Sequence, residues 1–367
     1  MKLFEIFYKK TKIRQEEKIS ILCGLISFEK FLPIYKEIKI LGKSVLRKSS
    51  YNYVNQKKMA TEIFPTAKIV EEVKEDCLHH IVKQAPHDFE NIVYIRSGLG
   101  ETYLLNLYLE QIMENIGFDI KKTCFVGSRD TFGEIFKQYN PNVTYKKIKI
   151  NWDYLCLGIN DSYYEHNGKK IYFYVNKNFV YKLMDNYRDG VEKTNFAKKI
   201  AELFSINKER LISKRYLPTD IEKSKAIDYL WKNKINKNNF IFISQEAVSI
   251  EELSDDFWMK LEGALREKGF DIFYNSKAVS ITQAKIIASL SKGIVALRSG
   301  FSETLVELNI PSHVVYTSMK INGISAQNLL NVYSLKDYPY EITDNVFEYD
   351  NETMSEEEIL DGILKGF

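Results

Sequence analysis

One pattern constrains this chain more than any other: a short apolar run, a glycine turn and an amphipathic helical segment, repeated in series at two places. Runs of about five apolar residues bounded by turns read as buried strands, and apolar residues every third or fourth position read as helices. The first series has strands at 91–95, 123–127 and 143–150, with helices predicted over 101–116 and 130–139. The second has strands at 240–244, 270–274, 293–297 and 313–316, with helices over 256–268, 282–291 and 301–308. Strand and helix in strict alternation build a parallel sheet with crossover helices. The expected fold class is therefore α/β, with two Rossmann-like, doubly wound domains.

Length agrees with two such domains, because a single core stops growing near ~250–300 residues and this chain has 367. The polar run 232–239 (KNKINKNN) is the natural boundary,. Expected domains are 1–238, with a basic N-terminal extension; 239–340; and an acidic tail or helix, 341–367, returning to the N-terminal domain. Around the first series, the reading has two short strands about Gly42-Lys43, a helical stretch to about Lys83, and a hairpin over 161–174 turning at Asn167-Gly168,. Further helices are expected around 196–204 and 220–232.

Composition excludes whole classes. Hydrophobic residues make up 45%, and there are only 17 glycines and 7 prolines, so disordered and collagen-like chains are ruled out,. Cys23, Cys77, Cys124 and Cys156 form no CxxC, and His79, His80, His87, His166 and His313 form no HExxH. Neither a disulfide framework nor a metal site is expected, and reduced thiols fit a cytoplasmic protein. The apolar stretch 19–28 is too short to span a bilayer,. The net charge of +3 hides 52 basic against 49 acidic side chains. The first 60 residues carry 14 of the basic and five of the acidic ones, whereas the segment after Tyr340 is acidic. That N-terminal region reads either as a solvated basic helix or as a peripheral contact with an anionic membrane. Dispersed, paired charge elsewhere gives no nucleic-acid footprint.

The two series share a motif. Residues 95–102 read IRSGLGET and residues 297–304 read LRSGFSET, each joining a strand to a helix. A glycine turn at the carboxyl end of a parallel strand is where such sheets bind ligands, and arginine grips phosphate oxygens in pairs. The alternative is a tight connection whose Ser and Glu only cap the next helix. Neither turn is a Walker loop or a GxGxxG, so no dinucleotide cofactor is expected.

The stretch 244–258 (SQEAVSIEELSDDFW), then 269–275 (GFDIFYN) and 295–300 (VALRSG), resembles bacterial transferases of capsule and lipopolysaccharide assembly. Its order is similar to that of the heptosyltransferases, and 92–101 (IVYIRSGLGE) is similar to the heptosyltransferase opening, which ends in Gly-Asp. The resemblance implies the GT-B plan, two Rossmann-like domains facing a cleft, and transfer of a sugar from a nucleotide-sugar to a glycan or lipid-linked acceptor at the inner face of the cell membrane. It places the nucleotide and its phosphates at Ser244, Gln245, Ser249, Arg298, Ser299, Gly300 and Glu303. It makes Glu101, at the place of the family's catalytic Asp, the candidate base, and puts the acceptor near Arg96, Ser97, Gly98 and Gly100; apart from the resemblance, His166 in the hairpin is a weaker second candidate for the base, with an incidental histidine as the alternative. The heptosyltransferases carry Asp-Thr-Gly and a following His where this chain has Arg298-Ser299-Gly300 and Glu303, so a donor other than ADP-heptose is implied. Ser299 stands where retaining enzymes have the first of two glutamates, the second matching Glu307, which implies an inverting reaction; with arginine and helix N-termini to hold the phosphates, no metal is required. A nucleotide-sugar 2-epimerase, a polysaccharide pyruvyltransferase and a non-catalytic glycan- or nucleotide-binding subunit stay open as alternatives.

Overall fold

The computed structural model describes residues 8–13, 16–21, 26–31, 35–40, 43–49, 67–95, 98–150, 159, 161–175, 196–207, 216–320, 324–336 and 344–367. They fall in two compact units: Met1–Ile81 with Ile150–Asn160, and Val82–Lys149 with Asp161–Phe367.

The first unit holds five strands, β1 (Tyr8–Ile13), β2 (Glu16–Ile21), β3 (Ile26–Phe31), β4 (Tyr35–Ile40) and β5 (Lys43–Ser49), in one antiparallel meander ordered as in the sequence. The strands at Gly42-Lys43 were expected; a basic helix before them was an alternative, and the structure replaces it with β-ribbon. The residues explain this: β-branched Ile and Thr with Phe and Tyr alternate with lysine, a period of two. Helix α1 (Ala67–Gln84) follows, with its residues up to Ile81 assigned to this unit.

The second unit contains two sheets, one parallel but for an antiparallel edge strand and one wholly parallel. In the first, β6 (Asn91–Ile95) leads through α2 (Leu99–Leu107) and α3 (Leu109–Ile116) to β7 (Thr123–Gly127), then through α4 (Asp130–Tyr139) to β8 (Thr144–Lys147). A hairpin of β9 (Tyr163–His166) and β10 (Lys169–Tyr174) completes the order β8-β7-β6-β10-β9, with β10 parallel to β6 and β9 antiparallel to β10. The hairpin turns at Asn167 and Gly168, both with positive φ (50° and 72°), as a two-residue turn of this kind requires. Helices α5 (Phe196–Leu203) and α6 (Asp220–Lys232) precede the second sheet.

That sheet is built from β11 (Phe240–Ser244), α7 (Asp255–Glu267), β12 (Asp271–Tyr274), α8 (Ile281–Ala288), β13 (Gly293–Leu297), α9 (Gly300–Leu305) with a 3₁₀ turn at 306–308, β14 (Ser312–Tyr316), α10 (Ala326–Tyr333), β15 (Val346–Asp350) and α11 (Glu356–Lys365). All five strands are parallel, in the order β12-β11-β13-β14-β15. The central strands are buried along their whole length, as covering both faces of a parallel sheet demands. Ile241 and Ile243 face one core, with α7 and α11, while Phe240 and Phe242 face the other, with α6 and α8.

The acidic tail differs from expectation. Rather than returning to the N-terminal domain it adds β15 to β14 and lays α11 against α7. Ser355 and Glu358 form a capping box, and Glu356 accepts hydrogen bonds from the N–H and hydroxyl of Ser254; three acids in the first turn of α11 suit the positive end of its dipole. No helix among the described residues is long and apolar enough to cross a membrane.

Candidate functional site

The two repeated turns meet. Arg96 and Ser97 lie outside the described residues, but the rest of both turns is placed. Each starts a helix at the carboxyl end of its strand, α2 after β6 and α9 after β13, and the two helices pack on each other. The contact runs through glycines: a Cβ on Gly300 would lie 2.5 Å from the backbone nitrogen of Gly100 and 3.0 Å from the Cβ of Leu99. Gly100 in turn is covered by the Glu303 carboxyl, which occupies the space a side chain would need. Helix α2 is therefore buried nearly all round, from Thr102 to Leu107, which explains why so short a helix is apolar on every side.

Two acids and one arginine converge here. Arg298 is only 7% exposed. Its guanidinium pairs with Glu303, donates from Nε to the Tyr333 carbonyl at 3.0 Å and from an Nη to the Ser299 carbonyl at 2.7 Å, and stacks over the Tyr333 ring. The other Glu303 oxygen is buried with no hydrogen-bond partner. Glu101 is partly buried, and its carboxyl folds back toward Gly98, where backbone N–H groups of residues 98 and 101 donate to it. Loss of water, followed by repulsion from Glu303, outweighs those hydrogen bonds and pushes its pKa up to about 7,. Tyr174, at the carboxyl end of β10, adds a buried hydroxyl without a partner; burial, then Glu101, raise its pKa. From the sequence, Tyr174 is one of five tyrosines in the middle of the chain, with Tyr154, Tyr163, Tyr164 and Tyr172, that read as ordinary packing or as a platform for a sugar ring; its place beside Glu101 is not encoded locally.

The remaining expected residues divide. Ser299 caps α9, accepting from the Ser302 N–H at 3.2 Å while its own N–H donates to the Ser302 hydroxyl at 2.9 Å. Ser244 is buried at the end of β11, the strand beside β13, within 3.4 Å of the Asn275 amide. Gln245 is half-buried and Ser249 exposed on the following loop. This loop is tied to the one after β14: the Ser249 carbonyl accepts from the Lys320 N–H at 3.0 Å, and the Glu251 N–H donates to the Ser318 carbonyl at 2.8 Å. These residues share the carboxyl edge of the second sheet with the Arg298 turn. His166 does not join them. It pairs with Lys169 at the amino end of β10, and β10 runs parallel to β6, so the length of a five-residue strand, roughly 15 Å, separates it from the Glu101 end of the sheet. Nothing in the geometry makes it a base. Glu307 is likewise turned away, fully buried in an ion pair with Lys285 and accepting from Tyr103 at 3.0 Å and Tyr139 at 2.5 Å.

No protein-family model matches the chain, and no curated protein matches its sequence. Among solved structures it is similar to a family 9 glycosyl transferase from Veillonella parvula, at 10% identity and a TM-score of 0.43, over 77% of this chain and 98% of that one. It is similar to the E. coli ADP-heptose lipopolysaccharide heptosyltransferase II at 11% identity and a TM-score of 0.42, over 76% and 98%. An E. coli heptosyltransferase solved with ADP matches at 10% identity and a TM-score of 0.40, over 76% and 100%. Similarity of this degree carries no substrate or reaction with it.

Proposed function

We propose that this protein is a glycosyltransferase that moves a sugar from a nucleotide-sugar to a glycan or lipid-linked glycan acceptor in surface-polysaccharide assembly. One observation carries the reading: Glu101 has its pKa pushed up to about 7 at the point where the two repeated turns meet, and a carboxyl poised near the working pH is what general-base catalysis asks for. In this reading an acceptor hydroxyl attacks the anomeric carbon of the donor, its proton passes to Glu101, and the bond from that carbon to the nucleoside diphosphate breaks with inversion. Residues 239–340 hold the nucleotide along the carboxyl edge of the second sheet, at Ser244, Gln245 and Ser249 and at the turn of Arg298, Ser299 and Gly300. Arg298 already faces an anion, the Glu303 carboxylate; a diphosphate takes the place of that carboxylate, and Glu303 is freed toward a ribose or sugar hydroxyl. Residues up to 238 serve the acceptor, through Gly98 and the adjoining Arg96 and Ser97. Gly100 is packed under Glu303 and serves the contact of the turns instead. With arginine meeting the phosphate charge, the reaction needs no metal ion.

A second reading rests on the same arginine. Its hydrogen bonds to the Tyr333 and Ser299 carbonyls and to Glu303 all go to groups inside the protein, which suits a turn that is purely structural and a non-catalytic nucleotide- or glycan-binding subunit. Incubation with a panel of nucleotide-sugars in EDTA, with and without a glycan acceptor, separates the readings. Nucleoside diphosphate released together with an extended glycan supports transfer. Free sugar formed without acceptor points to an epimerase or hydrolase, and nucleotide binding without product points to the binding subunit.

A further inference from the structure

Tyr174 is the last residue of β10, level with Ile95 at the end of β6, and β6 runs on into the turn that carries Glu101. Its ring is fully buried in the first core and stacks on Phe204, with centroids 5.7 Å apart and planes at 22°. Its hydroxyl is buried too and has no hydrogen-bond partner among the described residues. A buried hydroxyl left unpaired is unfavourable. A phenylalanine, as at Phe125 and Phe173 of the same sheet, would make the same stack without it, so packing alone does not account for the oxygen. Of the charged groups around that hydroxyl, Glu101 acts on it most strongly, ahead of Glu303. Other donors near Glu101 are turned elsewhere. The Thr102 hydroxyl donates to the Gly98 carbonyl at 2.9 Å, and Arg298 faces Glu303 and the carbonyls of Tyr333 and Ser299.

We propose that Tyr174 is a positioning residue for Glu101, its hydroxyl donating a hydrogen bond to that carboxylate whenever the carboxyl is ionised. A carboxylate with little water around it needs donors, and the backbone N–H groups of residues 98 and 101 supply part of them. The groups facing the pair are Glu303 and Arg298 on the second turn, Tyr108 where α2 meets α3, and Tyr172 on β10. Glu303 opposes ionisation of Glu101, and Arg298 favours it. Tyr108 and Tyr172 stay neutral, because burial raises the pKa of both. Burial and the Glu101 charge likewise keep Tyr174 protonated, so it remains a donor. It gives up no proton. In the proposed transfer, on which this purpose rests, the acceptor's proton ends on Glu101, and the O–H of Tyr174 steadies that carboxylate beforehand.

The test is a pH titration, by NMR, of the full-length protein labelled with carbon-13 at its glutamate carboxyls, with Glu101→Gln and Glu303→Gln identifying the two signals. Tyr174→Phe is expected to move the Glu101 midpoint upward by about one to two pH units, ten- to hundredfold in the acid constant, the ordinary worth of a hydrogen bond to a charged group. 3-Fluorotyrosine in place of Tyr174, a stronger donor of nearly the same size, is expected to move it downward. A tyrosine that only packs would give neither shift. Circular dichroism confirms folding; if Tyr174→Phe does not fold, the fluorinated protein decides. A Glu101 midpoint unmoved by both changes, moved in the same direction by both, or left in place while the Glu303 signal shifts would overturn the inference. The titration needs no substrate, which separates it from the transfer reading. A Glu101→Gln protein that still turns over sinks that reading and leaves the contact of Tyr174 with Glu101 standing.

Discussion

The carboxyl of Glu303 fills the space that a side chain on Gly100 would occupy, so one repeated turn is closed by an acid from the other. Glycine at 100 and at 300 is therefore a packing requirement. A methyl at Gly300 would meet the backbone of residues 99 and 100, which cannot swing aside. Gly300→Ala is expected to destabilise the protein by about 2–3 kcal/mol, seen as a lower thermal midpoint. Gly263, exposed in α7 with open space where a Cβ would lie, is the control: Gly263→Ala should stabilise by about 0.5–1 kcal/mol.

Behind the turns lies a buried charge. Lys285 pairs with Glu307 and sits 5.0 to 5.7 Å from the rings of Tyr103, Tyr139 and Tyr216. It links α8 and the 306–308 turn to α2 and α4, on the other sheet's side. Removing one partner strands the other. Glu307→Leu and Lys285→Met should each cost about 3–5 kcal/mol in denaturant unfolding, whereas the double variant should cost less than their sum.

Two groups give stability opposite pH slopes. His313 is buried between Phe347 and Phe367, with Nδ1 at 2.8 Å from the Tyr349 hydroxyl, and burial lowers its pKa to about 4. Folded protein holds fewer protons at His313 than unfolded protein between pH 6.5 and 4, so stability is present above pH 6.5 and is lost as pH falls to 4,. The loss is on the order of 3 kcal/mol, and His313→Phe should remove it. Glu101 acts the other way: its raised pKa makes stability fall as pH rises from 4.5 to about 7,. Glu101→Gln should flatten that limb, and relative to wild type should gain more at pH 8 than at pH 5. Urea unfolding across this range reads both.

Most of the α/β pattern was legible because buried parallel strands are short apolar runs. All four expected strands of the second sheet are present, and the three helices expected between them agree within a few residues at their ends, whereas α10 was not expected. What escaped was polar at the edge. Strand β15 contains Glu348, whose carboxylate accepts from Tyr316 at 2.6 Å and Ser334 at 2.7 Å, partners that only the folded chain supplies. The first three strands of the meander hid behind their lysines. In the site, the two glycine turns were readable one at a time, but not their contact. Residues 100 and 303 meet only when the helices cross, and no local pattern encodes that approach. The same contact turns Glu303 from an expected ligand group into the partner of Arg298.

The central claim is that Glu101 takes the acceptor's proton, and a pH–rate profile of transfer with Glu101→Gln tests it most directly. Once a donor is found by the nucleotide-sugar panel, wild-type kcat/KM should rise with pH through about 7, following the Glu101 carboxyl,. Glu101→Gln should keep nucleotide affinity by calorimetry within about threefold while losing roughly 10²–10⁴-fold in transfer. A Glu101→Gln protein that turns over at the wild-type rate, with the same rise near pH 7, would contradict the account.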